Sequence, residues 1–321
     1  MIELEHKFVE ANGIKMHYVE AGQGPLVILC HGFPESWYSW RHQITALAEA
    51  GYRVVTPDQR GYGQTAAPQA IDSYNIFNLV GDIVGLANSL GANDPIIVGH
   101  DWGAPVAWHC AILRPDRFRA CALLSVPYLP RAPIKPSTLW TMIEGNDQTF
   151  YQHYFQEPGR AEADFEADVR AGMKKMLYGA SGDAPVGVRF EHLFPRGKRP
   201  LEMIEAPAKL PAWLTEADLD FFTGEFKRSG LRGGLNWYRN IDRNWELTAF
   251  LDGAKLRQPS MFAAGEHDVV LRMVPGALEL VDSAMPACRG KTVIPGAGHW
   301  IQQERPADIN RLLLEFLASL R

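Results

Sequence analysis

Three short segments of the 321-residue chain carry side chains able to make and break bonds, and they occur in a telling order. The first, Gly99-His100-Asp101-Trp102-Gly103, follows the apolar run Ile96 to Val98. A nucleophile with glycine two residues away on either side suits a sharp, strained turn between a strand and a helix, where larger flanking side chains would strike neighbouring backbone. Aspartate is also a favoured helix N-cap, so this pattern alone does not decide for chemistry. The second segment, Gly265-Glu266-His267-Asp268, follows the run Pro259 to Ala264, and the third, Gly296-Ala297-Gly298-His299-Trp300, follows Lys291 to Ile294. Both put a polar residue beyond the carboxyl end of a strand, the side where open α/β sheets hold their sites. A lone loop aspartate is ordinarily a solvated turn residue and a lone histidine is ordinarily structural. The conjunction of nucleophile, acid and histidine in the order 101, 268, 299 points instead to a catalytic triad with Asp101 in the nucleophile position.

A carboxylate with an ordinary pKa of about 3.9 is already ionised at neutral pH and needs no base to become a nucleophile. Attack on a carbonyl would give an unstable anhydride, whereas attack on a saturated carbon bearing a leaving group gives an ester. His299, oriented by Asp268, is then free to activate water against that ester. His31-Gly32-Phe33-Pro34 directly follows the run Leu26 to Cys30, a position from which the Phe33 N–H can join the Trp102 N–H in an oxyanion hole. Gly and Pro are equally common in plain turns. A halide would leave without a proton, but an epoxide oxygen leaves as an alkoxide and needs an acid. A phenol, with a pKa of about 10, can supply that proton while staying neutral at pH 7. Tyr151, Tyr154 and Tyr238 are the candidates, and composition alone selects no pair among them.

These residues need a scaffold that brings strand ends together. Asn12-Gly13, between Phe8-Val9 and the alternating Ile14, Met16 and Tyr18, predicts an antiparallel hairpin. Short apolar runs at Leu26 to Cys30, Tyr52 to Thr56, Pro95 to Val98 and Ala120 to Val126 alternate with segments of helical spacing, best between Ile76 and Leu90, where Gly91 would cap the helix. Such alternation predicts a mostly parallel sheet covered on both faces. Pro127, Pro130, Pro133 and Pro136 break the rhythm. From Trp140 to about Trp245 there is no strand candidate of quality, and stretches such as Ala161 to Lys175 read as helix. The rhythm returns at Pro259 and closes with a helix beginning near Pro306. The expected architecture is an α/β-hydrolase core over residues 1–127 and 246–321, interrupted by an all-helical cap over 128–245.

Composition narrows the partners. Apolar residues make up 46% of the chain and charged ones 21%, which excludes disorder and a fold built on disulfides. The 32 basic and 37 acidic residues are intermixed, so nucleic acid is excluded as a partner on electrostatic grounds. Cys30, Cys110, Cys121 and Cys288 show no CxxC spacing, and no apolar window reaches the ~18 residues of a membrane span. A cytoplasmic protein is expected. The ten histidines form no HxH or HExxH pair, so neither a metal nor a cofactor is implied.

The segments HGFPESWYSWR (31–41), GHDWGA, YFQEPG, NWYRN and GHW together resemble the soluble epoxide hydrolases of the α/β-hydrolase superfamily, from about residue 8 to the C-terminus. The resemblance is to the shorter bacterial or plant type. It implies conversion of an epoxide and water to a vicinal diol, with Asp101 as nucleophile, His299 as base, Asp268 as its partner, and Tyr154 and Tyr238 as paired acids. Tyr151 rivals Tyr154, and the Tyr-Phe-Gln-Glu-Pro context favours 154. A small apolar epoxide and water are the expected partners, with His31, Pro34, Trp102, Trp237 and Trp300 as candidate pocket residues; core packing is the default for the tryptophans. A homodimer is allowed. The nearest rival activity is that of a haloalkane or haloacid dehalogenase, which would use the same aspartate, and a non-catalytic ligand receptor on the same fold is the rival from another class.

Overall fold

The computed structural model describes residues 2–321. Ten strands appear in chain order: β1 (Glu5–Ala11), β2 (Ile14–Ala21), β3 (Leu26–Cys30), β4 (Arg53–Pro57), β5 (Ile96–His100), β6 (Ala120–Leu124), β7 (Gln148–Phe150), β8 (Leu193–Pro195), β9 (Ser260–Gly265) and β10 (Cys288–Ile294). Eight of them form one sheet in the order β1-β2-β4-β3-β5-β6-β9-β10. The pairs β1·β2 and β2·β4 are antiparallel, and every pair from β4·β3 to β9·β10 is parallel. Asn12 and Gly13 both take positive φ, 49° and 75°, the backbone that a two-residue hairpin turn requires.

Every residue of β3, β5 and β6 is buried, because helices cover both faces of the sheet. Alternate side chains feed opposite cores. Val27, Leu29, Ile96 and Val98 pack on the side of the helices Arg41–Glu49 and Pro306–Ala318, with Ile44, Leu47, Ile309 and Leu313. Ile28, Cys30 and Ile97 face the other way, toward the helices Ile76–Ser89 and Gly103–Leu113, with Leu79, Ile83 and Leu86. Each fully buried aliphatic side chain contributes about 1.5–3 kcal/mol relative to exposure, so these two layers hold the strand ends in place. Gly91 closes the helix Ile76–Ser89 at a φ of 67°, and Pro306 opens the last helix in its first turn.

The chain leaves the sheet after Leu124 and returns at Ser260. In between lie the helices Pro136–Glu144, Tyr151–Tyr154, Arg160–Glu166, Val169–Gly179, Glu216–Ser229, Arg232–Arg239 and Ile241–Leu247. Two details depart from the sequence reading. The segment is not wholly helical, since β7 and β8 pair as a short antiparallel ribbon; three-residue strands are too short to leave an alternation that sequence can show. The helix-like stretch from Ala161 to Lys175 is broken, because the Asp168 carboxylate accepts from the Ala171 N–H at 3.0 Å and starts a new helix. All four cysteines are free, and among the described residues no helix is long and apolar enough to cross a membrane.

Candidate active site

Asp101 stands on the turn between β5 and the helix Gly103–Leu113, with a φ of 50°. Left-handed backbone at a non-glycine residue costs on the order of 1–3 kcal/mol and is kept where the surroundings enforce it. Here the enforcement is close backbone packing. A Cβ on Gly99 would overlap the Gly103 carbonyl, and one on Gly103 would overlap the Cys30 carbonyl, so the strand and helix can approach only through glycine. The loop after β3 is shaped for the same carboxylate. A Cβ on Gly32 would collide with it, and the Phe33 N–H donates to Asp101 Oδ1 at 2.7 Å. Trp102, in helical conformation just ahead of Gly103, brings one of the N-terminal N–H groups that no intrahelical carbonyl can accept.

His299 and Asp268 arrive from the loops after β10 and β9. His299 Nε2 lies 3.4 Å from Asp101 Oδ2, and its Nδ1 lies 3.1 Å from Asp268 Oδ1. Asp268 Oδ1 also accepts from the Val270 N–H, while its Oδ2 is buried without a hydrogen-bond partner. Burial by itself would lower the His299 pKa, but the carboxylates of Asp268 and Asp101 together raise it well above 6.5. The two carboxylates thus favour the protonated imidazole. Backbone contacts tie this loop to the inserted segment: the His299 N–H donates to the Ala180 carbonyl at 2.8 Å and the Trp300 indole N–H to the Leu177 carbonyl at 2.8 Å.

Two further groups support the triad, and the sequence reading did not single them out. Ser125, buried just past β6 with a φ of 70°, places Oγ 2.9 Å from His299 Nδ1. Its position beyond a strand's carboxyl end was the signal that could have found it. Glu35, fully buried, accepts from the Gly32 N–H at 2.9 Å and pairs with His100 Nδ1 at 2.7 Å, while His100 Nε2 meets the His299 carbonyl at 2.8 Å. Burial would raise the Glu35 pKa, but His100 and the Gly32 N–H hold it at about 2. One buried carboxylate thus links the loop beside Asp101 to the loop that carries His299.

Two cavities meet at Asp101. The larger, about 270 Å³, is walled chiefly by apolar side chains such as Trp102, Trp108, Ile112, Val126, Leu129 and Trp245. The smaller, about 30 Å³, is walled by Phe33, Phe155, Met176, Phe190, His299 and Trp300 among others. Asp101, Tyr151 and Tyr238 line both. The two phenol rings lie 6.0 Å apart between centroids, and burial together with the nearby Asp101 charge raises the pKa of each, so both stay protonated. Gln152 Nε2 donates to Tyr151 Oη at 2.8 Å, leaving the phenol proton free for another acceptor.

The expectation for Tyr154 is corrected here. Its ring packs on Phe194 at 5.6 Å and under the Arg160 guanidinium at 4.4 Å, and it lines neither cavity. On a helix, residues four apart share a face, so Tyr151 and Phe155 turn to the site together while Tyr154 turns to the β7–β8 ribbon. Three of the five candidate pocket residues are likewise displaced. His31 lies behind its loop with Nε2 accepting from the Gln59 N–H at 3.1 Å, Pro34 lines neither cavity, and Trp237 stands behind Trp102 with its indole N–H donating to the Arg60 carbonyl at 3.1 Å. Trp102 lines the larger cavity and Trp300 the smaller. Among the described residues no group of three or more His, Cys, Asp or Glu is arranged to hold a metal.

A strand-to-helix turn with the nucleophile at positive φ, a histidine and an acid on later strand ends, and a sheet with this strand order define an α/β hydrolase. The alpha/beta hydrolase fold family model matches residues 25–306. Epoxide hydrolase A of Mycobacterium tuberculosis is 46% identical over 319 residues, covering 98% of this chain and 97% of that protein. Epoxide hydrolase 2 of Siraitia grosvenorii is 43% identical over 324 residues, covering 99% of each. The solved structure of an epoxide hydrolase from an endophytic Streptomyces superposes with a TM-score of 0.95 at 47% identity, covering 99% of this chain and 96% of that one. The chain belongs to the epoxide hydrolase family.

Proposed function

We propose that the chain hydrolyses epoxides to vicinal diols through a covalent ester on Asp101. The observation that carries this reading is the pair of protonated phenols, Tyr151 and Tyr238, lining the same two cavities as the Asp101 carboxylate. The Asp–His–acid arrangement by itself would serve a dehalogenase equally well, but a halide leaves without a proton. In the first half-reaction, Asp101 Oδ2 attacks a ring carbon and the C–O bond breaks. The electron pair stays on the former epoxide oxygen, which takes a proton from one of the two phenols.

Ester formation removes the Asp101 charge, one of the causes that raise the His299 pKa, so the imidazole gives up its proton, which restores the phenol by way of solvent, and is left in its neutral, basic form. Neutral His299 takes a proton from water, whose oxygen attacks the Asp101 carbonyl carbon. The resulting oxyanion forms on Oδ1, which already accepts from the Phe33 N–H, and the Trp102 N–H is the second donor. Collapse expels the diol oxygen, which takes the second proton of the attacking water, and leaves the Asp101 carboxylate beside a protonated His299. In this reading Ser125 and Asp268 hold the imidazole, and residues 128–245 act as a lid that delivers the phenols. The free, mostly buried thiols suit a reducing compartment such as the cytoplasm.

Mass spectrometry of His299→Gln incubated with an epoxide tests the reading. A stable adduct of the epoxide's mass on the peptide containing Asp101 is expected. Halide release from haloalkanes by the wild type, with no diol from any epoxide, would overturn it.

A further inference from the structure

We infer that the preferred substrate is a terminal epoxide, with one bulky apolar group on one ring carbon and no substituent on the other; this rests on the epoxide hydrolase reading above. The argument is one of space. The epoxide oxygen must reach both phenols while a ring carbon meets Asp101 Oδ2, so the three-membered ring has to sit at the junction of the two cavities, which Asp101, Tyr151 and Tyr238 all line. Groups on the two ring carbons then diverge, one toward each cavity.

The two spaces differ ninefold, about 270 Å³ against about 30 Å³. An apolar cavity of ~150 Å³ holds a benzene molecule, so an aryl ring or a branched alkyl chain fits the larger one with room to spare. The smaller exceeds the ~10–15 Å³ of cavity that one water needs but falls far short of the ~150 Å³ that holds benzene. His299 stands in its wall, next to where the hydrolytic water must be activated. A substituent there would strike Met176, Phe190 and Phe155 and would also occupy the place of that water. The small cavity therefore selects twice, against alkylation by an internal epoxide and against hydrolysis of any ester that one forms.

The test is a comparison of kcat/KM for styrene oxide and trans-stilbene oxide, which differ by a second phenyl on the other ring carbon. The expected ratio favours styrene oxide by at least about 100-fold, as rejection by an overfilled space requires. A smaller ratio overturns the inference. Met176→Ala and Phe190→Ala, each checked for folding by circular dichroism, should lower the ratio at least about tenfold by enlarging the small cavity. An unchanged ratio in both folded variants would remove that cavity as the selector. If neither epoxide yields diol while a haloalkane yields halide, the underlying activity has failed; if both yield diol at comparable rates, only the substrate inference has.

Discussion

The triad and the phenol pair work on the same few ångströms of space, yet they are positioned by different means. Asp101, Asp268 and His299 hang from the ends of β5, β9 and β10, strands that are hydrogen-bonded side by side through β6 and locked between two buried layers. Their loops are short, and the turn at Asp101 has its backbone set by glycine contacts that admit no Cβ. Tyr151 and Tyr238 instead ride on short helices of the inserted segment, the first of them only four residues long. Their placement depends on side-chain packing and on a few bonds such as Gln156 Nε2 to the Tyr238 carbonyl at 3.0 Å. Strand ends give one solution for a given order of residues, whereas a one-turn helix can present any of its faces.

The sharpest way to break this comparison is at the nucleophile. Asp101→Ala should lower kcat by at least about 10⁴-fold, because no other group on the turn can form the ester; diol release followed by chromatography checks it. Next come the phenols. Tyr151→Phe combined with Tyr238→Phe should slow single-turnover ring opening by about 10³-fold, far more than either change alone, while Tyr154→Phe should alter it by less than about threefold. A large loss in Tyr154→Phe would mean that the helix Tyr151–Tyr154 presents a different face during turnover.

Glu35→Gln probes the rigid side through stability. The wild-type carboxyl sits at about 2 against an ordinary 4.5, so its contribution is complete above 4.5 and is lost as pH falls through about 2. The variant should be less stable by about 3 kcal/mol at pH 7, and urea titrations should show the gap narrowing below pH 4.5. His299 has the opposite sign. Its folded pKa is raised, so the stabilisation from its pairing with Asp268 and Asp101 is complete below 6.5 and is lost as pH rises through the folded value. The Tm difference between wild type and His299→Gln should accordingly be largest in mild acid and shrink in alkali. A modest loss is expected for Ser125→Ala, which removes one of two oxygens at His299 Nδ1 and should slow ester hydrolysis by about 10-fold with ring opening preserved; burst kinetics separate the two steps.

The core was legible because each of its signals is local. The positive φ at Asn12 and Gly13 follows from those two residue types, and the runs that became β3, β5 and β9 are short, apolar and bounded by turn residues. The residues 101, 268 and 299 could be grouped because sites of open parallel sheets gather at carboxyl strand ends. Ser125 offers one signal, its place just beyond the carboxyl end of β6, but a serine there reads equally as an ordinary strand-end turn. The β7–β8 ribbon and the helix break at Asp168 left no periodicity long enough to read.

By itself the sequence determined the sheet, the interruption between residues 124 and 260, and the three strand ends whose side chains meet within 3.4 Å. Local backbone preference and the alternation of strand and helix are sufficient for that. Tertiary structure alone decided that Tyr151 and not Tyr154 faces Asp101, that Trp237 stands behind Trp102, and that one side of the carboxylate has about 270 Å³ and the other about 30 Å³. Those outcomes depend on how helices distant in sequence pack against the sheet, and a volume is the space left when every neighbouring side chain has been placed.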